Sequence, residues 1–276
     1  MSEINFSKNM HPQFHICILN WNGAEVLDRC LDSVFSNKAP NYRVTVIDNN
    51  SRNFTPSKID SRVTIVQLDK NYGFSKGYNL GIDKSSIRDD EYIILLNYDA
   101  TLDDNFISTL TKTVSANGAN YIYGAKILFD YDKNLIWYAG GTANLSRGKI
   151  SHIGIRHRDN EFNHETETDY VTGCCMVIHK TLYLKLKGFD ESFFMYNEDL
   201  DLCIRAKGYG AKCLFVPSAL AYHRVSASVG GNYSLKKILL KVKSSYILYA
   251  KYYKFPISLL FLLKYLVRTL LKIRRV

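Results

Sequence analysis

Polar side chains follow three apolar runs of the sequence, each time directly after the run ends. The three clusters are Asn20-Trp21-Asn22, Asp48-Asn49-Asn50 and Asn97-Tyr98-Asp99. Any one of them can be an ordinary turn or helix cap, because Asn and Asp favour both. In an open α/β sheet, however, ligands bind in the crevice outside the carboxyl ends of the strands. Three clusters at one such edge therefore predict a shared polar binding site.

Asp99 and the distant His223 are the candidate metal ligands. Mg²⁺ and Mn²⁺ take carboxylate and phosphate oxygens together, so an aspartate at a strand end could hold either cation beside a diphosphate. One carboxylate alone is a poor metal site, and His223, which follows a late apolar run, is the candidate second ligand. A lone histidine is more often an ordinary surface or core residue, and that alternative stays open.

Three carboxylates lie within four residues, at Glu198, Asp199 and Asp201. The helix dipole and capping explain such a cluster at a helix N-terminus without any catalysis. The functional alternative is a general base, which needs a carboxylate held beside the hydroxyl that loses its proton. The neighbouring aromatic residues could form a stacking surface for a sugar, with core packing as the alternative for at least one: Phe193, Phe194 and Tyr196.

The elements that must position these residues alternate between strand and helix patterns in the first half of the chain. Apolar runs predict buried strands at residues 14–19, 44–47, 63–68 and 92–96. Helical spacing between Val26 and Phe35, and a glycine-punctuated segment from Asn71 to Asn79, predict helices between strands. Buried strands separated by helices imply a parallel sheet with right-handed crossovers.

The second half of the chain has a less regular pattern. It predicts strands at 122–128, 170–178 and 212–216, and a helix from about Asn197 to Lys207. The Gly- and His-rich stretch 140–164 suits hairpins and a mobile loop.

Charge is distributed unevenly along the 276 residues. The formal net charge is +10, yet the first 234 residues hold 25 Lys and Arg against 26 Asp and Glu. An apolar fraction of 46% and a charged fraction of 22% are those of a globular protein, which excludes wholesale disorder. A nearly neutral body argues against nucleic acid as a partner, because the excess positive charge lies in residues 235–276.

The basic tail 235–276 alternates Lys and Arg with apolar residues. Its longest uncharged run, 255–263, has nine residues, whereas a membrane-spanning helix needs about 20. Lys264, Arg268, Lys272 and Arg275 share one helix face, which is typical of an interfacial helix on anionic lipid. The alternative is a helical pair that packs on the body or in a dimer and leaves a solvated basic face.

The six cysteines have no C-x-x-C spacing of the kind found in zinc sites. The N-terminal residues lack the apolar core of a signal peptide. We therefore expect free thiols and a cytoplasmic protein.

Five short motifs resemble, in order, those of glycosyltransferase family 2, and the closest subgroup is the bacterial rhamnosyltransferase-like one. They are ILNWN at 18–22, VIDNNS at 46–51, NYGF at 71–74 with Gly77 and Asn79, LLNYD at 95–99, and GFDE at 188–191 followed by FMYNEDLDLCIR at 194–205. The resemblance covers about residues 14–225. Five motifs in the right order are a specific signal, unlike a single glycine loop.

The resemblance implies a GT-A fold, with a mostly parallel Rossmann-like sheet flanked by helices, and inverting transfer from a nucleotide-diphosphate sugar. It places Trp21 against the nucleotide base and Asp48 in a hydrogen bond to that base. The other residues that it implies for the donor site are Asn20, Asn22, Asn50, Gly73, Phe74, Asn97 and Tyr98.

The resemblance also assigns the reacting groups. Asp99 is the last residue of a D-x-D-like metal motif, and His223 falls at a metal or diphosphate contact. Asp199 matches the catalytic base, with Glu198 beside it. The sequence departs from the pattern twice, because Asn97 replaces the first acidic residue of the metal motif and Tyr98 is bulkier than the small residue often found there.

The expected organisation has four parts: an N-terminal extension (1–13), a nucleotide-sugar-binding half (14–120), an acceptor-binding and catalytic half (121–234) and a basic amphipathic helical tail (235–276). The implied function is sugar transfer, assisted by Mg²⁺ or Mn²⁺, from dTDP-rhamnose or a UDP-sugar to a hydroxyl of a growing surface glycan, O-antigen or capsule. A lipid-linked acceptor would fit a peripheral position on the inner face of the plasma membrane.

Two other functions stay open at this point. A nucleotide-sugar-binding subunit of a membrane assembly would bind the donor without turnover. A nucleotidyltransferase also uses an α/β sheet and a metal, but it usually has a Gly-rich phosphate loop after its first strand, and LNWNG at 19–23 is not one. The sequence leaves the oligomeric state open.

Overall fold

The architecture is that of a computed structural model, which describes residues 12–52, 54, 60–225 and 235–273. Within helices, the side chains of Lys236 and of residues 268–273 are outside the description. Of the predicted N-terminal extension, residues 1–11 lie outside the described residues.

The first half of the chain forms the parallel sheet that its alternating pattern predicts. Its elements are β1 (Gln13–Asn20), α1 (Ala24–Phe35), β2 (Tyr42–Asp48), β3 (Val63–Gln67), α2 (Gly73–Lys84) and β4 (Glu91–Asn97). The strands lie in the order β3-β2-β1-β4, and each pair is parallel. The register pairs Asn20 with Asp48 and Leu19 with Asn97. The three polar clusters therefore meet at one edge of the sheet, as predicted.

The second half completes a mixed sheet. Its elements are β5 (Ala100–Leu102), α3 (Phe106–Asn117), β6 (Tyr121–Phe129), β7 (Asp132–Tyr138), β8 (Gly141–Asn144), β9 (Lys149–His152), β10 (Thr166–Thr168), β11 (Cys175–His179), α4 (Lys180–Lys185), α5 (Glu198–Gly208) and β12 (Lys212–His223). Strand β11 lies antiparallel between β4 and β6, so the parallel arrangement holds for β1–β4 and for the pair β6–β12. Strands β8 and β9 form the hairpin expected in the stretch 140–164.

Two predicted strands differ from the observed ones. The strand predicted at 170–178 begins only at Cys175, because the backbone before it bonds elsewhere: Gly173 donates its N–H to Asp199, and Cys174 accepts a hydrogen bond from the Asn97 N–H. The strand predicted at 212–216 continues to His223, past an irregularity between Val216 and Leu220 where the pairing register shifts.

Strand β12 is long enough, from Lys212 to His223, to reach the end of the sheet at which β4 ends. It pairs with β6 from Lys212 to Val216 and again from Leu220 to His223, and its last three residues also pair antiparallel with β5. This pairing puts His223 opposite Ala100, and the Arg224 N–H donates to the Asp99 carbonyl at 2.9 Å. The end of β12 is thereby held beside the end of β4.

The hydrophobic core has two layers, one on each face of the sheet. Because side chains alternate along a strand, Ile16 and Ile18 of β1 pack on the side of α1 and α3, whereas Cys17 packs on the side of α2, α4 and α5. All six cysteines are buried and free, as expected. Burial raises the pKa of the Cys17 thiol to about 12, so it is inert as a nucleophile.

The basic tail folds into two helices, α6 (Leu235–Tyr252) and α7 (Ile257–Ile273). Helix α6 packs on the globular body, as the second interpretation of the tail expects. Lys251 lies 2.7 Å from Asp201 at the start of α5, and Tyr252 donates its hydroxyl to the same carboxylate. Leu248 and Tyr249 of α6 are fully buried. Asp201 is therefore a structural anchor for α6.

No described helix combines the length and the apolar character that crossing a membrane requires. The proposed basic face of the tail can be followed only in part. Lys264 is exposed, whereas the side chains of Arg268 and Lys272, and all of Arg275, lie outside the described residues.

Candidate active site

A pocket of about 820 Å³, partly open to solvent, lies at the sheet edge where the polar clusters meet. We call it the edge pocket. Its lining includes six residues singled out from the sequence: Trp21, Gly73, Phe74, Asn97, Tyr98 and Asp99. Phe194, Met195 and Leu240 close it from the catalytic segment and from α6.

The bulky Tyr98 fits because glycine stands opposite it. A Cβ atom built on Gly23 would lie 2.2 Å from Cε2 of Tyr98, so any other residue at position 23 would collide with the ring. The ring is almost fully buried and still contributes to the wall of the edge pocket. The departure from the small residue expected at position 98 is thus accommodated by the loop after β1.

The other predicted donor-site residues form a network that holds the loops together. Asn20 donates to Asp48 Oδ1 at 3.0 Å, and Asp48 Oδ2 accepts the Ser51 N–H. The Asn22 side chain accepts the N–H of Arg52. None of these five residues is among those that line the edge pocket. A hydrogen bond that Asp48 accepts from a nucleotide base therefore stays a prediction.

Two further residues of the predicted donor site have left-handed backbone conformations. Asn50 is exposed with φ of 61° and does not line the edge pocket. Gly73 has φ of +78°, and a Cβ there would lie 2.4 Å from the Phe194 carbonyl oxygen. The next residue, Phe74, donates its N–H to that same oxygen at 2.7 Å. The loop before α2 is therefore joined directly to the segment that precedes the acidic cluster.

A second, larger space of about 1540 Å³, partly open to solvent, adjoins the edge pocket and shares Phe74, Asn97, Asp99 and Met195 with it. We call it the carboxylate cleft, because Asp99, Glu198 and Asp199 line it together with His223. The structure thus brings together the candidate base and the candidate metal ligands, although Asp99 lies 100 residues before Asp199 and His223 lies 24 residues after it in the chain.

Asp99 and His223 face each other as a pair. His223 Nε2 lies 3.3 Å from Asp99 Oδ1, and both side chains are nearly buried. The other ring nitrogen, Nδ1, is buried without a hydrogen-bond partner among the described residues, and the ring packs edge-on against Trp137 at 4.4 Å between centroids. The pairing of β12 with β5 produces this contact.

This donor set fits a divalent cation shared with a substrate. Within the described residues, no group of three or more His, Cys, Asp and Glu side chains could hold a metal by itself. Mg²⁺ sites that serve nucleotides commonly use only one or two carboxylates plus substrate phosphates, and Mn²⁺ also accepts imidazole. Asp99 and His223 would be the protein ligands.

Glu198 and Asp199 have different surroundings although they are neighbours. Both oxygens of Asp199 accept backbone hydrogen bonds, Oδ2 from Gly173 at 3.0 Å and Oδ1 from Leu200 at 2.8 Å. Glu198 is 5% exposed, and its Oε2 has no hydrogen-bond partner in the described structure. Asp199 is therefore held in one orientation, whereas Glu198 keeps an oxygen unused.

Burial governs the ionisation of both acids. It raises the pKa of Asp199, and the hydrogen bonds from Gly173 and Leu200 partly oppose that change. Burial, reinforced by the nearby charge of Asp199, raises the pKa of Glu198 well above its ordinary value. Carboxylates with raised pKa values are suited to proton transfer near neutral pH.

Sequence reasoning missed part of the carboxylate cleft. Trp137, His152 and Tyr170 line it, and the Tyr170 hydroxyl lies 3.0 Å from Nδ1 of His152. Burial lowers the pKa of His152 to about 4. Lys237 and Lys241 of α6 line the same cleft. The one available signal is the Gly- and His-rich stretch 140–164, which contains His152, because the pattern of the basic tail does not single out Lys237 or Lys241.

The aromatic residues near the acidic cluster differ in their surroundings, and a sugar-stacking role stays a prediction. Phe193 is almost fully buried in the core, as expected for at least one of them. Phe194 is exposed and lines the edge pocket, while Tyr196 lines the carboxylate cleft.

Comparison with known proteins places this geometry in a family. The model of the family "Glycosyl transferase family 2" matches residues 15–186, which is more than half of the chain. The matched region contains every residue singled out for the donor site and Asp99, and it ends before Glu198.

Among curated proteins, the chain is similar to rhamnosyltransferase WbbL of Escherichia coli K12. The two are 30% identical over 169 residues, which cover 55% of this chain and 61% of WbbL. It is also 23% identical to the dTDP-rhamnosyl transferase RfbF of Shigella flexneri over 68% of this chain and 62% of RfbF. A shorter match, 35% over 66 residues, covers 24% of this chain and 22% of an N-acetylglucosaminyl-diphospho-decaprenol L-rhamnosyltransferase of Mycobacterium tuberculosis H37Rv. The chain thus spans less than two thirds of the length of each.

Solved structures share the fold at low sequence identity. GalNAc-T7, crystallised with UDP, GalNAc and Mn²⁺, superposes with a TM-score of 0.64 at 16% identity, over 82% of this chain and 47% of that one. The mannosyltransferase PcManGT from Pyrobaculum calidifontis, in complex with GDP-Man and Mn²⁺, gives 0.60 at 16% identity over 88% and 65%. The fold is therefore GT-A-like, and the chain belongs to glycosyltransferase family 2.

Proposed function

We propose that this protein is an inverting glycosyltransferase that moves a sugar, with dTDP-rhamnose as the first candidate donor and a UDP-sugar as the second, to a hydroxyl of a growing surface glycan. The observation that carries the proposal is the position of Asp199. Its carboxylate faces a cleft that also contains the Asp99–His223 pair and that opens into the edge pocket. A base, a diphosphate site and a nucleotide pocket are thus contiguous.

The edge pocket binds the donor nucleotide. Trp21 supplies an aromatic face for the base, and Tyr98, Phe74 and Phe194 supply apolar walls. The sugar extends from there into the carboxylate cleft, past Asp99 and His223. The rhamnosyltransferase names of the relatives in E. coli and S. flexneri support dTDP-rhamnose.

Mg²⁺ or Mn²⁺ held by Asp99 and His223 would offset the charge that develops on the leaving diphosphate. Asp199 accepts the proton of the acceptor hydroxyl as that oxygen attacks the anomeric carbon from the opposite face. The hydrogen bonds from Gly173 and Leu200 fix the direction from which the carboxylate approaches. A single displacement inverts the configuration, so no covalent nucleophile is required.

We further propose a lipid-linked acceptor and a peripheral position on the cytoplasmic face of the plasma membrane. Helix α6 exposes one apolar face, formed by Leu235, Ile238, Leu239, Val242 and Tyr246. Exposed apolar residues also line α7, and 235–276 contains no Asp or Glu. An apolar helix face flanked by lysines suits an anionic bilayer. The diphospho-decaprenol in the name of the mycobacterial relative supports such an acceptor, and the polysaccharide would be an O-antigen or capsule.

A thermal-shift screen followed by a transfer assay tests the proposal. The full-length protein is heated with dTDP-rhamnose, with UDP-sugars and with GDP-mannose, each with and without Mn²⁺. A donor that binds the folded state raises the midpoint by mass action. We expect dTDP-rhamnose to give the largest Mn²⁺-dependent rise and to release dTDP when a diphospholipid-linked glycan is added. Binding without nucleotide release across a panel of acceptors would instead indicate a binding subunit.

A further inference from the structure

Three aromatic rings line the carboxylate cleft next to one another. Trp137 of β7 and His152 of β9 have ring centroids 4.7 Å apart, and the Tyr170 ring follows at 6.0 Å from that of His152. We call these three residues the aromatic row. They lie in the chain between the fourth and the fifth of the sequence motifs, so no motif singles them out.

Backbone pairing places Trp137 beside His152. The N–H of Ala139, just after β7, donates to the carbonyl of Ile153, just after β9, at 3.1 Å. This bond joins the ends of the two strands. Both rings are partly exposed, so they are accessible from the cleft that they line.

Tyr170 fixes the orientation of the His152 ring. It is 4% exposed, and its ring fills a space next to Gly141, where a Cβ atom would lie 2.3 Å from Cε1 of Tyr170. Its carbonyl accepts the hydroxyl of Tyr138 at 2.7 Å, and its own hydroxyl lies 3.0 Å from Nδ1 of His152. Among the described residues this is the only hydrogen bond of the His152 ring, so Nε2 is the nitrogen left for a ligand.

The chemistry of the aromatic row suits a sugar. A sugar ring combines an apolar C–H face with hydroxyl groups at its rim, and an indole such as that of Trp137 offers a matching apolar surface. A hydroxyl both donates and accepts hydrogen bonds, so it can pair with Nε2 of His152 in either neutral tautomer. Aromatic side chains with a few fixed polar groups are the usual lining of small-molecule sites.

The aromatic row lies between the two sets of reacting groups. Trp137 contacts the ring of His223 at 4.4 Å between centroids, so one end of the row adjoins the proposed diphosphate site. At the other end, Tyr170 precedes by three residues Gly173, which donates its N–H to Asp199. All three rings line the carboxylate cleft and none lines the edge pocket. A sugar on the row would therefore lie outside the nucleotide pocket and in the same space as the candidate base.

We infer that Trp137 and His152 bind the sugar unit of the acceptor that carries the reacting hydroxyl, and that Tyr170 is a positioning residue for His152. The inference rests on the proposed function, because it presumes a glycan acceptor. The sugar of the donor is the competing source of the same chemistry, since it must also lie close to His223. The experiment has to separate these two sugars.

The two tryptophans of the chain make a direct test possible, because Trp21 lines the edge pocket and Trp137 lines the cleft. In Trp21→Phe, all tryptophan fluorescence comes from Trp137. This full-length variant is titrated with the methyl glycosides of N-acetylglucosamine, rhamnose and galactose, in saturating dTDP and Mn²⁺. We expect a saturable change in emission with at least one glycoside. In Trp137→Phe, where only Trp21 emits, the same titration should give no change.

Either of two results would overturn the inference. One is the absence of any response of Trp137 to the three glycosides. The other is an equal response of Trp21, which would place the glycoside in the edge pocket. Neither measurement removes a residue from the core, so misfolding does not obscure the outcome.

Substitutions in the row test the individual contacts. In the Trp21→Phe background, His152→Leu removes the ring nitrogens and should weaken glycoside binding about three- to tenfold, the effect of losing one hydrogen bond. His157→Leu is the matched control, because His157 is exposed, pairs with Glu161 at 2.8 Å and lines neither the edge pocket nor the cleft. An equal loss in the control would mean that His152 makes no specific contact.

A comparison of dTDP-rhamnose with dTDP separates the donor sugar from the acceptor. The ratio of their affinities, measured by calorimetry, isolates the contribution of the donor sugar. We expect His152→Leu and Trp137→Ala to leave this ratio unchanged within about twofold. A fall of the ratio toward one would assign the aromatic row to the donor sugar and overturn the inference.

Transfer kinetics separate the inference from the proposed function. If transfer occurs, Trp137→Ala, His152→Leu and Tyr170→Phe should raise KM for the acceptor and leave KM for the donor unchanged. A purely structural role of Tyr170 would not produce that division. Transfer with an unchanged acceptor KM would refute the aromatic row as the acceptor site and leave the function intact. Specific glycoside binding in a protein that transfers no sugar would refute the function and leave the sugar site intact.

Discussion

At the scale of single residues, the neighbours Glu198 and Asp199 differ in hydrogen bonding and burial although both are carboxylic acids. Asp199 is fixed by two backbone N–H groups, whereas Glu198 is more deeply buried and has an unpartnered oxygen. A general base must be oriented toward its proton and must ionise at the working pH. Asp199 meets the first requirement, and burial raises the pKa of Glu198 well above its ordinary value, which disfavours the ionised form that a base needs.

Asp199→Asn should therefore lower kcat by about 10²–10⁴, because the amide keeps the shape but cannot accept the proton. Donor affinity, measured by the thermal shift with nucleotide sugar, should stay close to that of the wild type. Glu198→Gln is the matched comparison and should retain much more of kcat. If Asp199→Asn kept wild-type turnover while Glu198→Gln lost it, the two roles would have to be exchanged.

The raised pKa of Glu198 should make the free energy of unfolding depend on pH. Its pKa is raised in the folded protein, so the fold favours the protonated carboxyl. The stabilisation is full below the ordinary glutamate pKa and is lost as the pH rises through the raised value. Glu198→Gln, which cannot ionise, should have a higher Tm than the wild type at alkaline pH, and the two should converge in acid. A constant Tm difference across pH would contradict the burial of an ionisable group.

The contact between Gly23 and Tyr98 gives a steric prediction. Gly23→Ala places a methyl group against the Tyr98 ring and should weaken donor binding, since overpacking costs about 1–3 kcal/mol. Gly208→Ala is the control, because a Cβ there has no atom within 4 Å. In the Gly23→Ala, Tyr98→Ala double variant the ring is absent. Adding Gly23→Ala to Tyr98→Ala should therefore lower donor affinity less than Gly23→Ala lowers it in the wild-type protein. Additive losses would show that the two positions do not interact.

At the scale of elements, the length of β12 decides whether Asp99 and His223, the proposed cation ligands, meet. The strand crosses an irregularity and pairs with β5, which sets His223 beside Asp99. Neither residue would suffice alone as a metal ligand. Helix α6 has a comparable role on the other side of the cleft, because Ser244 accepts a hydrogen bond from Asn197 at 2.9 Å and donates to the Tyr196 carbonyl. Tyr196 and Asn197 both have positive φ, so α6 braces a left-handed turn directly before Glu198.

Asp99→Ala should weaken donor binding only when a divalent cation is present. The wild-type protein should bind the nucleotide sugar more tightly in Mn²⁺ than in EDTA, and the variant should bind it equally in both. Asp103→Ala, at a partly exposed aspartate after β5 that lines neither the edge pocket nor the carboxylate cleft, is the control. Donor affinity that still rises with Mn²⁺ in Asp99→Ala would remove Asp99 from the metal site.

At the scale of the whole molecule, charge and apolar exposure coincide at one end of the chain. The first 234 residues are nearly neutral, and the helical pair α6–α7 carries the excess positive charge beside exposed leucines. Lys251 contacts the globular body, where it forms ion pairs with Asp190 and Asp201. The exposed Lys243, Lys254 and Lys264, together with the apolar face, are the groups that the proposed membrane contact would use.

Vesicle co-sedimentation tests this arrangement without unfolding the protein. The double variant Leu239→Asp, Leu260→Asp changes side chains that are 68% and 51% exposed, so the Tm should change little while binding to anionic vesicles falls. Tyr131→Asp, at a body residue that is 71% exposed, is the control and should sediment like the wild type. Binding should weaken with salt, since each lysine near the surface contributes about 1 kcal/mol. Equal sedimentation of all three proteins would exclude α6–α7 as the membrane contact.

Local sequence was sufficient for the first half of the sheet. Strands β1, β2 and β4 are largely buried on both faces, so each is a largely apolar run whose end is marked by Asn or Asp. Parallel strands linked by helices must present those ends at a common edge. The shared position of Trp21, Tyr98 and Asp99 could therefore be predicted from pattern alone. The order of five motifs then indicated the family.

Long-range pairing decided the rest, because it depends on contacts that no local pattern encodes. Residues 170–174 have the apolar character of a strand, but their backbone groups bond to Asn97 and Asp199, and this sets the orientation of the candidate base. The basic tail carries a lipid-binding pattern whichever way it folds. Only the packing of α6 against α5 shows that Lys251 anchors it and that Lys237 and Lys241 turn into the carboxylate cleft. A helix with apolar residues on two faces and lysines between them can pack in several ways. Contacts with residues of the globular body, such as Asp201, select one of them.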